Sequence, residues 1–124
     1  MQLDFLHGAP MQARKVARLL SAAADTNATL VKAGPVNLLH IRGYNAKATV
    51  VYLKVYNKAT APAETDTPIM TIYLAATAVF DFKLPDEGLY FVLGLGYRLV
   101  TDNADNGTTA VGAGDILGLN IVYA

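Results

Sequence analysis

The sequence has no cysteine, no tryptophan, one serine and two histidines. Without cysteine, the chain cannot form disulfides, zinc–thiolate sites or a cysteine nucleophile. Ser21 precedes a run of alanines, and no nucleophile-elbow glycines surround it. His7 and His40 are too few for a catalytic or metal-binding cluster. These absences favour a protein that is not an enzyme and that uses no cofactor.

Charged side chains are also scarce. They make up 16% of the 124 residues, against 53% hydrophobic residues, whereas a typical soluble domain is about 25% charged. The net charge of zero disfavours a protein that coats nucleic acid. No apolar run approaches the roughly 18 residues that a membrane span requires. Two interpretations stay open: a surface that meets other protein rather than water, or simply a well-packed β domain.

The zero net charge hides an asymmetry between the two halves of the chain. Residues 1–58 carry a net charge of +6, and residues 59–124 carry −6. The two halves can neutralise each other within one fold. Alternatively, separate copies can meet basic side to acidic side, since complementary charge guides association.

From Ala28 onward the sequence has the pattern of β-strands separated by turn signals. No helical segment lies between these strands to make parallel crossovers. The pattern predicts one all-β domain over 16–124, an antiparallel two-sheet sandwich that is jelly-roll-like and has seven or eight strands. The expected strands are 28–33, 36–45, 48–57, 67–74, 79–83, 89–100 and 116–124.

The segment before these strands has two interpretations. Residues 1–15 are expected to form an irregular N-terminal arm, and residues 11–24 fit a helical period with apolar residues on one face. The same short segment could instead form an edge strand, since the rest of the sequence is β. Its basic side chains are candidates for contact with an acidic surface, although a charged helix face or strand edge needs no partner. They are Arg14, Lys15 and Arg18.

Tyrosine is frequent, with seven in the chain. Tyr52 and Tyr56 share a predicted strand face with Lys54. Exposed aromatic side chains on a sheet can stack on sugars or fill a protein interface. Ordinary cross-strand pairing is the alternative. These three residues are therefore further candidates for an interface.

The stretch "TDNADNGTTAVGAGD" (101–115) has the composition of a calcium-binding loop. With Gly107 at the sixth position of an EF-type loop, Ala104 and Ala113 fall where oxygen ligands are required. The spacing therefore favours an exposed polar loop between two apolar strands. A cation held in another geometry by Asp102 and Asp105 stays open.

Two stretches, "GYNAKATVVYLKVYNKATAPAETDTPIMTIYL" (43–74) and "GLYFVLGLGYRLVTDNADNGTTAVGAGDILGLNIVYA" (88–124), resemble a family of small structural proteins encoded in tailed-phage morphogenesis clusters. The recurring features are the tyrosine-rich strand and turn, "TDTPIMTI", "GLGY", and a polar loop that leads to "GDILGLNIVYA". The resemblance covers about residues 16–124, and the order of the features is more specific than any one of them.

The resemblance implies a component of the virion, made in the host cytoplasm and located on the capsid surface. It implies a homotrimer that binds the phage major capsid protein and stabilises the head, without direct contact with nucleic acid or membrane. Two other functions stay open: a carbohydrate-binding module of a fibre or collar that uses exposed tyrosines, and a head–tail or tail-tube component.

Overall fold

The computed structural model describes residues 13–124. It contains nine β-strands: β1 Lys15–Ser21, β2 Thr29–Ala33, β3 Val36–Asn45, β4 Val51–Asn57, β5 Met70–Leu74, β6 Ala78–Lys83, β7 Leu89–Phe91, β8 Gly94–Val100 and β9 Ile116–Tyr123. No helix long and apolar enough to cross a membrane occurs within this range. The predicted N-terminal arm lies mostly outside the described residues.

The strands form two antiparallel sheets. Sheet A has the order β1-β9-β3-β6, with β7 also paired to β3, and sheet B has the order β2-β8-β4-β5. The prediction of an all-β antiparallel sandwich is confirmed. Consecutive strands lie mostly in opposite sheets, an order compatible with the jelly-roll prediction, which stays a prediction.

The core lies between the two sheets and follows from the alternation of side chains along the strands, with a register shift between Leu38 and His40 that turns both Leu38 and Ile41 inward. Sheet A contributes Leu38 and Ile41 from β3 and Leu119 from β9, and sheet B contributes Leu53 and Leu99 from β4 and β8. All five side chains are at most 1% exposed. The two sheets therefore share one continuous apolar layer, whose burial is the main favourable contribution to folding.

Residues 15–21 form a strand, so the helical interpretation of 11–24 is wrong for this part. Strand β1 lies at the edge of sheet A and pairs antiparallel with β9. Ala17 and Leu19 pack against the core, whereas Val16 and Leu20 point to solvent. A period of two thus replaces the helical period, because Leu19 and Leu20 lie on opposite faces.

The predicted strand 89–100 is two strands in different sheets. Strand β7 pairs with β3 in sheet A, and β8 pairs with β2 and β4 in sheet B. The chain crosses between the sheets at Val92 and Leu93, both 54% exposed. Gly94 begins β8 where a side chain would not fit, since a Cβ there would lie 2.4 Å from the carbonyl oxygen of Lys58. This division brings the strand count to nine.

Candidate assembly surface

Much of the outward-facing side of sheet B is covered by its own chain, although Tyr73 on this side is 63% exposed. Lys54 of β4 has no exposed surface, and Tyr56 and Arg98 are at most 2% exposed. The prediction that the face carrying Tyr52, Lys54 and Tyr56 is open for contact is wrong for Lys54 and Tyr56. The reason is that the loop after β8 folds back over this side of the sheet.

Hydrogen bonds from two buried cations hold that loop in place. Lys54 donates from Nζ to the backbone oxygen of Asn103 at 2.9 Å and to Oγ1 of Thr71 at 3.2 Å. Arg98 donates from one guanidinium nitrogen to the Gly107 carbonyl oxygen at 2.5 Å. A buried cation without such partners would be strongly destabilising. The loop that covers sheet B is therefore also the segment whose carbonyl groups accept the hydrogen bonds of these two cations.

The charge environment of Lys54 reflects its burial. Burial lowers the pKa of the Lys54 ammonium, while the negative charges of Asp105 and Asp102 raise it, and the net shift is downward. The acidic side chains of the loop thus oppose the cost of removing Lys54 from water.

Carboxylates of the loop after β8 accept hydrogen bonds from backbone amides of the same loop. Oδ2 of Asp102 accepts a hydrogen bond from the Thr109 amide at 3.3 Å. Oδ2 of Asp115 accepts one from the Gly112 amide at 2.7 Å and lies 3.4 Å from Nζ of Lys47. No group of three His, Cys, Asp or Glu side chains within residues 13–124 is arranged to hold a metal ion.

The remaining tyrosine of the predicted interface, Tyr52, is half-buried and packs edge-on against Tyr73. Their ring centroids are 4.8 Å apart, and the ring planes are inclined by 82°. Because Tyr56 lies beneath the loop, Tyr52 and Tyr56 do not form an exposed flat platform of the kind that stacks on a sugar ring.

Within residues 13–124, no segment packs over the outward-facing side of sheet A. Strand register arranges its side chains in three transverse rows. The first is apolar, with Leu117, Tyr44 and Val79. The second is polar, with Arg18, Asn120, Arg42 and Asp81. The third is mixed, with Val16, Val122, His40 and Lys83. We call this surface the outer face of sheet A.

Apolar side chains on this face are unusually accessible. Val79 is 72% exposed, Leu20 66% and Val16 59%, and Leu117 at the centre is 38% exposed. Large apolar side chains that project from a sheet mark an interaction surface when they occur together. The three side chains of β1 and β6 line the two edges of the sheet, and Leu117 lies between them.

The charged groups on the same face are also accessible. Arg18 and Arg42 are exposed, and the Asp81 carboxylate contacts Nε2 of His40. The hydrogen bond with His40 holds the pKa of Asp81 below its usual value. The Asp81 side chain remains 56% exposed despite this contact, so it can accept a further partner.

The six residues predicted for an interface are therefore not brought together. Arg14, Lys15 and Arg18 are exposed at the β1 end of sheet A, whereas the other three lie on β4 in sheet B. Sequence reasoning missed the apolar members of the outer face. The signal was the alternation within "VARLL", which places Val16, Arg18 and Leu20 on one side of a strand.

Comparison of the chain with protein-family models, with curated proteins and with solved structures finds no match.

Proposed function

We propose that this chain is a virion structural protein, namely a capsid decoration protein that self-associates and binds the outside of a phage head. The observation that carries the proposal is the outer face of sheet A, which no segment of residues 13–124 covers, whereas the loop after β8 covers Lys54, Tyr56 and Arg98 on sheet B. Exposed apolar side chains on a sheet lose contact with water when a second protein covers them, and this burial is favourable.

The outer face of sheet A has a centre and two edges, which suit two kinds of contact. The centre, around Leu117 and Tyr44, belongs to β9 and β3, which have strand neighbours on both sides. This centre can only be covered from above, by a surface such as that of the major capsid protein. The edges, at β1 and β6, are accessible from the side and suit contact with sister copies.

The capsid as the particular partner is supported by the resemblance of 43–74 and 88–124 to small virion proteins. The mechanism is mechanical. A homotrimer that contacts several capsomers at once binds more tightly than any single contact would, because each further contact is made at high effective concentration. Expansion or rupture of the head must then break these contacts together.

Binding to particles tests the proposal. Tailed particles purified from the strain that carries the gene are probed with an antiserum raised against the purified chain. The chain is then removed from the particles and added back, and the amount that sediments with them is measured. We expect the antiserum to label the heads, and the added chain to sediment with the particles at saturable stoichiometry.

A matched pair of variants assigns the contact. Leu117→Glu places a charge at the centre of the outer face and should weaken binding to the particles roughly tenfold or more. Thr60→Glu, in the exposed segment after β4, should bind like the parent. Absence of the chain from purified particles, or equal binding by both variants, would contradict the proposal.

A further inference from the structure

Sheet A ends in two open strand edges. Within residues 13–124, the order β1-β9-β3-β6 leaves one side of β1 and one side of β6 without a strand partner. Unpaired N–H and C=O groups along such an edge can pair with a strand of another chain.

The directions of the strands permit one edge to pair with the other in a second copy. Each neighbouring pair in the order is antiparallel, so β1 and β3 run in one direction and β9 and β6 in the opposite one. When a second copy is placed beside β6 so that its sheet A continues that of the first copy, β1 of the second copy runs antiparallel to β6 of the first. The joint therefore has the same geometry as the pairs inside the sheet.

One register matches the side chains of the outer face. When Arg18 lies opposite Asp81, Leu20 lies opposite Val79. A cation then meets an anion, and two of the most exposed apolar side chains of the molecule cover each other. Opposite charges and apolar pairs directly across two strands are stabilising.

The inward-facing side of the same register is apolar at its centre. It places Leu19 opposite Phe80 and Ala17 opposite Phe82. In the single chain, Phe80 is buried and the other three are partly buried against the core. The joint would thus extend the core layer from one copy into the next.

Several alternative arrangements lose the charge pair or place like charges together. A slip of two residues in one direction sets Arg18 opposite Lys83, and the opposite slip sets it opposite Val79. Pairing of β1 with itself about its central residue sets Arg18 opposite Arg18. Pairing of β6 with itself sets Asp81 opposite Asp81 when the two-fold axis is at Asp81, and opposite Val79 when the axis is at Phe80. Like charges directly opposite each other are destabilising, and charged side chains on edges normally prevent unwanted pairing. Here the two edges carry opposite charges at matching positions.

We propose that copies of this chain join head to tail through sheet A, with β1 of one copy antiparallel to β6 of the next and Arg18 opposite Asp81. This inference rests on the self-association in the proposed function, and it names the surfaces that make it. Because the two surfaces differ, each copy offers one of each, and the joint generates a ring when the rotation between copies closes.

Cysteine cross-linking tests the joint without background, since the chain has no cysteine. In the double variant Leu20→Cys/Val79→Cys, an ethylene-spaced bismaleimide can bridge residues of adjacent copies. Within one copy, β1 and β6 are three strand spacings apart, or roughly 14 Å, which is too far for this reagent. We expect a ladder of covalent species that ends at the number of copies in the ring.

The single variants are the matched controls. Leu20→Cys alone and Val79→Cys alone should remain monomeric after the reagent, and a mixture of the two should give dimers and nothing larger. Efficient dimers from either single variant would show a two-fold joint and overturn the head-to-tail arrangement.

Charge exchange tests the register. Arg18→Glu should weaken self-association about tenfold, and Arg18→Glu combined with Asp81→Arg should restore it. Undiminished oligomers in Arg18→Glu would overturn this inference, as would oligomers of the double cysteine variant that give no ladder. Either result would still be compatible with self-association through another surface, and so with the proposed function. A parent chain that is monomeric at all concentrations would instead contradict the proposed function.

Discussion

The hydroxyl of Tyr56 accepts a hydrogen bond of 3.1 Å from Nη1 of Arg98 in a layer that solvent does not reach. The other guanidinium nitrogen reaches the Gly107 carbonyl, so one buried cation joins two strands of sheet B to the loop above them. Hydrogen bonds to a charged donor are stronger than neutral ones. The loop after β8 is therefore part of the folded core of sheet B.

Removing the Tyr56 hydroxyl should weaken this layer. We expect Tyr56→Phe to lower the free energy of unfolding by about 1–2 kcal/mol, because Arg98 loses an acceptor that water cannot replace. Urea unfolding measures the change, and Tyr90→Phe, at a ring that is 59% exposed, is the control. Equal stability of the two variants would show that the bond contributes nothing.

Gly107 is required by the side chain of Asp102. A Cβ at position 107 would lie 1.9 Å from Oδ1 of Asp102, an oxygen that is itself buried. Gly107→Ala should therefore lower the free energy of unfolding by about 1–3 kcal/mol. Asp102→Ala added to Gly107→Ala should cost less than the sum of the two single changes, because the clash is removed. Strict additivity would contradict this explanation.

The protein should lose stability in acid. Hydrogen bonds from the Lys58 ammonium and the Ala63 amide lower the pKa of Asp66, and the hydrogen bond with His40 lowers that of Asp81. A carboxyl group with a lowered pKa in the folded state stabilises the fold above its ordinary pKa of about 3.9. That contribution disappears as the pH falls through the lowered value.

Thermal melts between pH 7 and pH 2 measure this loss. Asp66→Asn should show a shallower decline of Tm below pH 4 than the parent chain, because it has no proton to take up at that site. Glu64→Gln, two residues away and exposed, is the control. An acid decline in Asp66→Asn as steep as in the parent would contradict the assignment to Asp66.

Chelation should leave the fold unchanged. The Asp102 and Asp115 carboxylates accept hydrogen bonds from amides of their own loop, and we expect these bonds to hold its conformation without an ion. We expect the same Tm with and without EDTA. A drop of several degrees would establish a cation in the loop.

The fold was largely predictable, because alternation along the strands is a local property of the sequence. Residues 28–33 and 36–45 match β2 and β3 closely. The errors arose where the local sequence pattern fits two different secondary structures or gives no sign of a strand boundary. Leu19 and Leu20 fit one face of a helix as well as opposite faces of a strand. The run 89–100 has no polar break at Val92 and Leu93, where the chain changes sheet.

The candidate surface was less predictable, because it depends on contacts between distant segments. Alternation correctly places Lys54 and Tyr56 on the side of β4 away from Leu53. It contains no information on a loop that follows β8 and covers that side. The lone Arg98 in the apolar run "GLGYRLV" does not reveal this burial, since charged side chains are seldom fully buried.

Native mass spectrometry of the purified chain tests self-association through the edges of sheet A. We predict a closed homo-oligomer, with three copies of the 13.2 kDa chain as the expected number, and dissociation at roughly tenfold higher concentration in Arg18→Glu. A mass of one chain at every micromolar concentration tested, for parent and variant alike, would contradict it.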